Sequence, residues 1–300
     1  MITRFTVVLL LVLPGAGSHL SAGEQALSTV TVLWNSEVRS PGICVDRTSW
    51  FVSVIPAAVP LEGLTTTRLR HGELTTEARV LFRDDAQRLC LLETSTPLTG
   101  LTPVSLVHTG ELKGGQKLHC LSHRSACLTT VAGKDWSHRG ERFSMPLLRV
   151  RVADPESFCA AGTPLVSEEG HLVGILTGKD HDETGDVHAI PVARVRKLVT
   201  DIKTHQRSGP VRVGLVFHNQ SSTPEIIEVK SGSPAERSGL EAGDVILSID
   251  GTDTESLEDL VEVIHNLPAG VETPVTVLRG LSEKDLSIVP EFLEMTAAAR

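Results

Sequence analysis

Residues 24 to about 200 are a succession of short apolar runs interrupted by Gly, Pro, Ser and Thr, among them TVTVLW, SWFVSVI, LCLLE and HLVGIL. Short apolar runs bounded by turn residues predict many short strands, and hence a β-barrel or a β-sandwich. The first amphipathic helix pattern comes late, at residues 192–205, where one face carries Val192, Val195, Leu198, Val199 and Ile202. The sequence QRSGP that follows indicates a linker.

Residues 211–290 have a different character, because strand patterns there alternate with turn signals around one strong helix pattern. That helix begins in TESLEDLVEVIHNL, where Thr254 or Ser256 can cap it and acidic residues crowd its first turns. Its predicted buried stripe consists of Leu257, Leu260, Val261 and Ile264. Mixed helix and strand patterns over about 80 residues predict a compact second domain.

The N-terminus predicts export. Arg4 precedes an apolar run from Phe5 to Leu13, which falls short of the ~20 residues that a membrane-spanning helix needs. Small residues follow, with a cleavage point expected between about Gly17 and Gly23. We therefore predict a signal peptide at residues 1–23 and a periplasmic or secreted mature chain with no membrane span. An uncleaved anchor is the alternative.

The net charge limits the classes of partner that the chain can bind. The net charge of −9 argues against a nucleic-acid partner, since nothing would neutralise the phosphates, and it disfavours acidic membrane surfaces as well.

The chain has an odd number of cysteines, so at least one thiol is unpaired. The sequence does not assign the disulfide pairing among Cys44, Cys90, Cys120, Cys127 and Cys159. Cys120 and Cys127 are close enough in sequence to close a small loop, whereas Cys44 and Cys90 lie in strand-like runs typical of buried thiols.

Two segments raise the question of a metal. HCLSHRSAC contains His119, Cys120, His123 and Cys127, which are zinc-type ligands, but their spacing matches no standard zinc pattern. Adjacent strand residues such as His119 and Cys120 also point to opposite faces. The acidic segment DHDETGDVH at residues 180–188 lacks the spacing of a calcium loop. We predict neither a metal nor another cofactor.

The segment GSPAERSGLEAGDVILSIDG, residues 232–251, resembles the PDZ domain of HtrA/Deg proteases. The resemblance implies that RVGL just upstream forms a carboxylate-binding loop, whose backbone N–H groups converge on the C-terminus of a peptide. It implies a peptide-binding set of Arg212, Val213, Gly214, Leu215, Val216, Phe217, Leu260 and Ile264. The alternative is that these apolar residues only fill the core of the domain.

The preceding region resembles the trypsin-like domain of the same family. SPGICVDRTSWFVSVIPAAV matches the segment of the catalytic His, DDAQRLCLLE that of the Asp, and GTPLVSEEGHLVGILTG that of the Ser. The resemblance spans about residues 28–290 and implies a mostly β chain: a trypsin-like double β-barrel followed by a small α+β PDZ domain. The domains then cover residues 24–205 and 206–291, with a tail at 292–300.

The same resemblance locates the triad positions. The His falls on Pro56 (or on Ala57 or Ala58), the Asp on Arg88 and the Ser on Ala161, while an oxyanion-hole Gly falls on Cys159. Catalysis needs a nucleophile, a base within reach and an acid that orients the base. Arg88 would put a cation in the place of the orienting anion. Three losses in three separate segments predict a pseudoprotease.

We therefore expect a non-catalytic protein that binds protein C-termini or unfolded segments, as an adaptor, a regulator or a chaperone-like binder. An active HtrA-type relative and a second copy of the chain are further candidate partners. The principal alternative is an active HtrA-like serine endopeptidase in protein quality control. There are two further alternatives. One is a cysteine hydrolase, which would use Cys159 with a base from His119, His123 or His188. The other is a structural protein whose PDZ groove is closed.

Overall fold

The computed structural model describes residues 28–106, 112–121, 126–135, 147–152, 160–178, 186–218 and 223–294, with only the backbone of residues 126, 127 and 135. The predicted signal peptide, Cys159 and His123 lie outside these ranges. In the described part of the chain, no helix combines the length and the apolar character needed to cross a bilayer.

The first six strands close into a barrel in the order β1-β2-β3-β6-β5-β4. They are Thr29–Leu33 (β1), Arg39–Cys44 (β2), Trp50–Val54 (β3), Thr66–His71 (β4), Leu74–Asp84 (β5) and Leu89–Thr94 (β6). Closure satisfies the backbone groups that an open sheet would expose at its edges. Cys44 and Cys90 are buried in this barrel, as predicted, and burial raises the pKa of their thiols to about 11 and about 12.

The next six strands close into a second barrel in the order β10-β11-β12-β9-β8-β7. They are Lys117–Leu121 (β7), Ala126–Asp135 (β8), Leu147–Val152 (β9), Pro164–Val166 (β10), Leu172–Gly178 (β11) and Val187–Pro191 (β12). One apolar cluster joins the two barrels and includes Ile43, Val54, Leu89, Ile175 and Ile190. The predicted trypsin-like double β-barrel is thereby confirmed.

Helix α1, Val192–His205, follows β12 directly and has the limits that the sequence predicts. Its predicted apolar face is buried against the barrels. Two charged residues on the same helix, Lys197 and Asp201, are also completely inaccessible to solvent. The helix therefore packs on a second partner that its amphipathic pattern does not reveal.

That second partner is the PDZ region, which consists of Val211–Arg212 (β13), Leu215–Phe217 (β14), Ile226–Val229 (β15), Pro234–Arg237 (α2), Val245–Ile249 (β16), Thr252–Asp253 (β17), Leu257–Asn266 (α3), Thr273–Arg279 (β18), Ser282–Ile288 (β19) and Glu291–Phe292 (β20). Its main sheet has the order β17-β16-β18-β19, and its core includes Val213, Ile226, Ile246, Leu260 and Val277. Ser256 caps α3 in a reciprocal capping box with Asp259. Thr254, the other predicted cap, instead donates to the carbonyl of Ile246.

Candidate functional site

Pro56 and Arg88 lie side by side at the ends of neighbouring strands. In the pairing of β3 with β6, Val54 lies opposite Leu89. Ile55 and Pro56, which follow Val54, therefore lie next to Arg88, which precedes Leu89. The Ile55 amide donates to the carbonyl of Arg88 at 2.8 Å. In return, the Arg88 guanidinium donates from Nε to the carbonyl of Ile55 and from Nη2 to that of Pro56, both at 2.8 Å, and also to that of Val59. Arg88 thus ties down the turn that follows β3.

The charged group beside Pro56 is the Arg88 guanidinium, which is a cation and forms no acid–base pair with Pro56. Partial burial lowers the pKa of the Arg88 guanidinium, and the nearby Asp85 opposes that shift. The two neighbouring carboxylates have other cationic partners: Asp84 accepts from Arg194 at 2.8 Å, and Asp85 pairs with Arg83. Neither Pro56 nor Arg88 can act as a general base at neutral pH, since proline has no titratable side chain and arginine stays protonated.

Ala161 lies in the core between the barrels and is only 8% exposed. The chain packs tightly on both sides of it. At Gly162, whose φ is +87°, an added Cβ would come within 2.6 Å of the Pro41 carbonyl oxygen, and at Gly178 it would lie 3.3 Å from the Cβ of Ala161. The Gly162 amide donates to the carbonyl of Leu176 at 2.8 Å. These contacts fix the backbone at Ala161 and Gly162, but the methyl group of Ala161 provides no nucleophile.

Two hydroxyls near this loop escaped the sequence analysis. Ser53 donates to the Pro41 carbonyl at 2.6 Å and lies 3.0 Å from the hydroxyl of Ser40, which accepts from the indole of Trp34 at 2.8 Å. Both serines are buried and engaged in these hydrogen bonds. Their hydrogen bonds join β2 to β3. The buried position of Ser53 could have been inferred from a polar residue within an apolar strand pattern, SWFVSVI.

The structure describes two of the three histidines that could act as a base for Cys159. His188 lies opposite Gly178, where an added Cβ would lie 3.3 Å from that of Ala161, whereas His119 lies opposite Val166 in β10. The burial pattern of β7 puts His119 and Cys120 on opposite sides of the strand. Because Cys159 and His123 lie outside the described residues, the role predicted for Cys159 stays a prediction.

The resemblance places the predicted peptide groove between β14 and α3 of the PDZ region. β14 pairs with β15 along one edge, and within the described residues no strand pairs with its other edge. Leu215 and Phe217 of β14 and Leu257 and Ile264 of α3 are apolar, partly buried and packed against the core of the PDZ region. Leu260 and Val213 are buried in the core, so Leu260 can contribute only to the floor of the groove. Leu257 was absent from the predicted set, although its place in the helix stripe is a signal for it.

The loop before β14 requires a glycine. Gly214 has φ +85°, and a Cβ there would lie 2.1 Å from the Cβ of Ser233, so any larger residue must displace the backbone. The Lys230 amide donates to the Gly214 carbonyl and the Ala235 amide to the Val213 carbonyl, both at 2.9 Å. These bonds fix the loop in place. Arg212 lies beside it, exposed, and forms an ion pair with Glu291 at 2.9 Å.

The PDZ region is attached to the barrels by a buried ionic network. Lys197 donates to Asp201 at 2.9 Å and to the carbonyl of Leu267 at 2.8 Å, while Asp201 accepts from the amide of Ala269 at 3.0 Å and from Ser208 at 2.9 Å. Burial lowers the pKa of Lys197, and the neighbouring Asp201 opposes that shift. All hydrogen-bonding groups of the ion pair face the helix, the linker or the PDZ region, so the two domains form one packed unit.

Helix α3 makes further contacts across the same junction. Lys134 of β8 binds Glu262 at 2.7 Å and Asp259 at 3.4 Å. Arg196 of α1 pairs with Asp250. Helix α3 is therefore fixed to the second barrel through Lys134, and the turn at Asp250 is fixed to α1 through Arg196.

Comparisons with known proteins agree with this architecture. A PDZ domain profile matches residues 211–289. The chain is 23% identical over 259 residues to "Protease Do-like 1, chloroplastic" of Arabidopsis thaliana, a match that covers 77% of this chain and 59% of the relative. It is 25% identical over 267 residues to "Putative serine protease HhoB" of Synechocystis, covering 79% and 63%. It is 27% identical over 157 residues to "Serine protease HTRA1" of Xenopus tropicalis, covering 45% and 33%. The chain thus spans about a third to three fifths of the length of these relatives.

Among solved structures, one described as "HtrA-type protease AlgW with tripeptide" superposes with a TM-score of 0.52. It shares 16% sequence identity, and the match covers 91% of this chain and 95% of that one. At this level of identity the likeness concerns the fold: two barrels followed by a PDZ domain in the same order.

Proposed function

We propose that this HtrA-type chain, which joins a trypsin-like double β-barrel to a PDZ domain, is an exported, non-catalytic protein that binds protein C-termini or unfolded segments. It would act as an adaptor, a regulator or a chaperone-like binder in the periplasm or outside the cell. An active HtrA-type relative and further copies of the chain are its candidate partners beside its peptide ligands.

The observation that carries the non-catalytic part is the position of the Arg88 guanidinium on the carbonyls of Ile55, Pro56 and Val59. A cation that holds this turn fills the corner where a base and its orienting acid would have to meet. In a well-studied serine protease, the loss of either the serine or the histidine costs ~10⁶ in kcat. The combination of Pro56, Arg88 and Ala161 therefore supports negligible hydrolysis.

The binding part rests on the groove between β14 and α3. The β14 edge, the glycine loop at Gly214 and the half-buried Leu215 and Ile264 provide what a bound C-terminus needs: backbone partners, N–H donors and an apolar contact. Binding in the micromolar range, about −8 kcal/mol for a Kd near 1 μM, is the expected strength.

An active serine endopeptidase is the second candidate, and the names of the relatives favour it. Casein digestion by purified protein comprising residues 24–300 distinguishes the two. We expect no cleavage by this protein or by Ala161→Ser, because no base is present to activate the new hydroxyl. Cleavage that a serine-directed inhibitor blocks would establish the endopeptidase, and cleavage that disappears in Cys159→Ala would establish a cysteine hydrolase.

Peptide binding is tested on the same protein, since the PDZ region shares a buried network with α1. A library of peptides ending in apolar residues is titrated as free acids and as amides. We expect the acids to bind and the amides to lose most of the affinity, because the N–H cradle then lacks its anion. Ile264→Lys should abolish binding, whereas Ile227→Lys, at a 49% exposed isoleucine on β15, should preserve it. Equal binding of the two peptide forms, or binding of neither, would reject the groove.

A further inference from the structure

Two cysteines lie directly opposite each other in the second barrel. Strands β7 and β8 pair in antiparallel fashion, with residues 117–121 opposite residues 126–130 and no register shift between them. Within this ladder, Cys120 lies opposite Cys127. The pairing of the two strands therefore brings these cysteines together, which their separation in the sequence alone does not establish.

The spacing of opposite residues in such a ladder suits a disulfide. The Cα atoms of residues that face each other across antiparallel strands are about 4.5 Å apart at one type of pair and about 5.5 Å apart at the other. Disulfides join residues whose Cα atoms are about 4.4 to 6.8 Å apart, so both types of pair lie within this range. A bond between Cys120 and Cys127 therefore requires no change of strand register.

Both positions belong to the inner face of the barrel. Cys120 is only 2% exposed and is part of the apolar core of this barrel. On β8 the burial alternates, because Thr129 and Val131 are buried whereas Leu128 is 42% exposed. Residues two positions apart share one face of a strand, so position 127 belongs to the same face as Thr129 and Val131. A cross-strand bond requires this shared face.

The cysteines of the first barrel have no comparable partner. In the strand pairing of the described residues, no cysteine lies opposite Cys44 or Cys90. The Cys44 thiol donates to the carbonyl of Arg47 at 3.7 Å, and the Cys90 thiol donates to that of Ser53 at 3.4 Å. Burial raises the pKa of these two thiols to about 11 and about 12, so little of the reactive thiolate is present at neutral pH.

We propose that Cys120 and Cys127 form a structural disulfide, which joins β7 to β8 and closes the loop of residues 120–127. The oxidant is a low-molecular-weight disulfide such as oxidised glutathione. One cysteine thiolate attacks it and forms a mixed disulfide with release of one glutathione, and the second cysteine thiolate then displaces the other glutathione. Two protein thiols are thereby oxidised, and one oxidised glutathione is reduced to two thiols. The structure shows Cys120 as a thiol, which is the reduced reactant of this step.

The burial of Cys120 determines when the bond forms. A soluble oxidant cannot reach a side chain that is 2% exposed, so the exchange takes place while the hairpin folds and before the barrel closes. Disulfides persist in exported proteins and are rare in the reducing cytosol. Only the presence of the bond in the cell therefore rests on the export proposed above, because the choice of partners depends on the hairpin alone.

Arg124 makes a direct test of the pairing possible. Trypsin cuts after Arg124 and thereby separates Cys120, in the peptide of residues 118–124, from Cys127, in the peptide of residues 125–134. A disulfide between the two cysteines keeps these peptides together in a digest made without reductant. Reduction of the same digest then releases them as two separate masses.

Protein comprising residues 24–300 is refolded from the fully reduced state in a buffer of reduced and oxidised glutathione. It is then alkylated in denaturant, digested and analysed by mass spectrometry. We expect the two peptides to be joined, with Cys44 and Cys90 alkylated. Alkylated Cys120 in most of the molecules, or a bond from Cys120 to Cys159, would overturn the assignment. Neither result bears on peptide binding or proteolysis, so failure here is distinct from failure of the proposed function.

Thermal unfolding with and without dithiothreitol gives a second measurement. Because the bond restrains the unfolded chain, we expect the reductant to lower the Tm of the refolded protein by about 5 °C. Cys127→Ala removes the bond and should abolish this shift. Cys90→Ala, which removes a buried thiol from the first barrel, is the control and should preserve it. An undiminished shift in Cys127→Ala would refute the assignment.

Discussion

The guanidinium of Arg88 donates a hydrogen bond of 2.8 Å to the carbonyl oxygen of Pro56. The same oxygen accepts from the Val59 amide at 2.9 Å, which closes the turn after β3. The guanidinium also binds the carbonyls of Ile55 and Val59. One side chain just before β6 therefore holds the conformation of a segment that lies 29 to 33 positions away in the sequence.

Replacing Arg88 with methionine tests this role. Methionine keeps the apolar stem and an unbranched side chain at φ +54°, but it leaves three carbonyl oxygens without their charged donor. We expect a loss of ~1–3 kcal/mol in the free energy of unfolding by urea. Arg70→Met, at an exposed arginine on β4, is the control and should change stability by less than ~0.5 kcal/mol. Equal effects of the two changes would show that the Arg88 bonds are dispensable.

Gly214→Ala tests the cradle of the peptide groove. The new Cβ would lie 2.1 Å from Ser233 and the residue would need φ near +85°, so the loop must shift. We expect the affinity for acid-ended peptides to fall more than tenfold. Gly280→Ala has a comparable φ of +63° but open space around the new Cβ, so it should cost only the ~1–2 kcal/mol of left-handed strain and preserve binding. Fluorescence anisotropy with a labelled peptide measures both variants, and undiminished affinity in Gly214→Ala would argue against this loop as the cradle.

Lys197→Met tests the junction between the domains. The change leaves the carboxylate of Asp201 buried without its cationic partner, which costs ~3–5 kcal/mol. Lys203→Met on the same helix removes an exposed pair with Asp46 and should cost less than ~1 kcal/mol. Denaturant unfolding followed separately in the barrels and in the PDZ region gives the comparison. A Lys197→Met protein as stable as Lys203→Met would mean that the buried pair does not hold the domains together.

Asp244→Asn tests the acid stability of the PDZ region. Hydrogen bonds from Arg279, which bind both carboxylate oxygens at 2.7 and 2.8 Å, lower the pKa of Asp244 below its ordinary value of 3.8. The ion pair therefore contributes fully above about pH 4, and its contribution is lost as the pH falls through the lowered value. We expect Asp244→Asn to cost ~1–3 kcal/mol at pH 7 and to flatten the decline in stability below pH 4.

The control for this titration is Asp285→Asn, at an exposed carboxylate that accepts one hydrogen bond from Thr276. Its stability profile should follow that of the unmodified protein. Parallel acid profiles for the protein with Asp244 and the protein with Asn at that position would exclude this ion pair as a source of the pH dependence.

Local patterns were sufficient for the elements of the fold. The limits of α1 follow from its apolar spacing and from the linker after it, whereas the sequence left Thr254 and Ser256 open as caps of α3 and the structure shows that Ser256 is the cap. The burial of Lys197 and Asp201 could not be predicted in this way. In isolation they read as the solvent-facing side of an amphipathic helix, and only the docking of the PDZ region covers them.

The candidate site could also be predicted only in part: its residues could be named from the sequence, but their contacts could not. The resemblance pointed to Pro56, Arg88 and Ala161 one by one, but not to the contact of Arg88 with Pro56, because the direction of a long side chain depends on what surrounds it. The contact of α3 with the second barrel was not predicted for a related reason. Asp259 and Glu262 are charged and suggest a solvated face, whereas Lys134, which binds both, lies more than 100 positions earlier in the chain.

The bonds of Arg88 also restrict how the sequence can change over generations. A substitution to aspartate, the residue that an orienting acid requires, would exchange three donated hydrogen bonds for a negative charge facing three carbonyl oxygens. That single step lowers stability, so the hydrogen bonds of Arg88 themselves oppose its replacement by an acid.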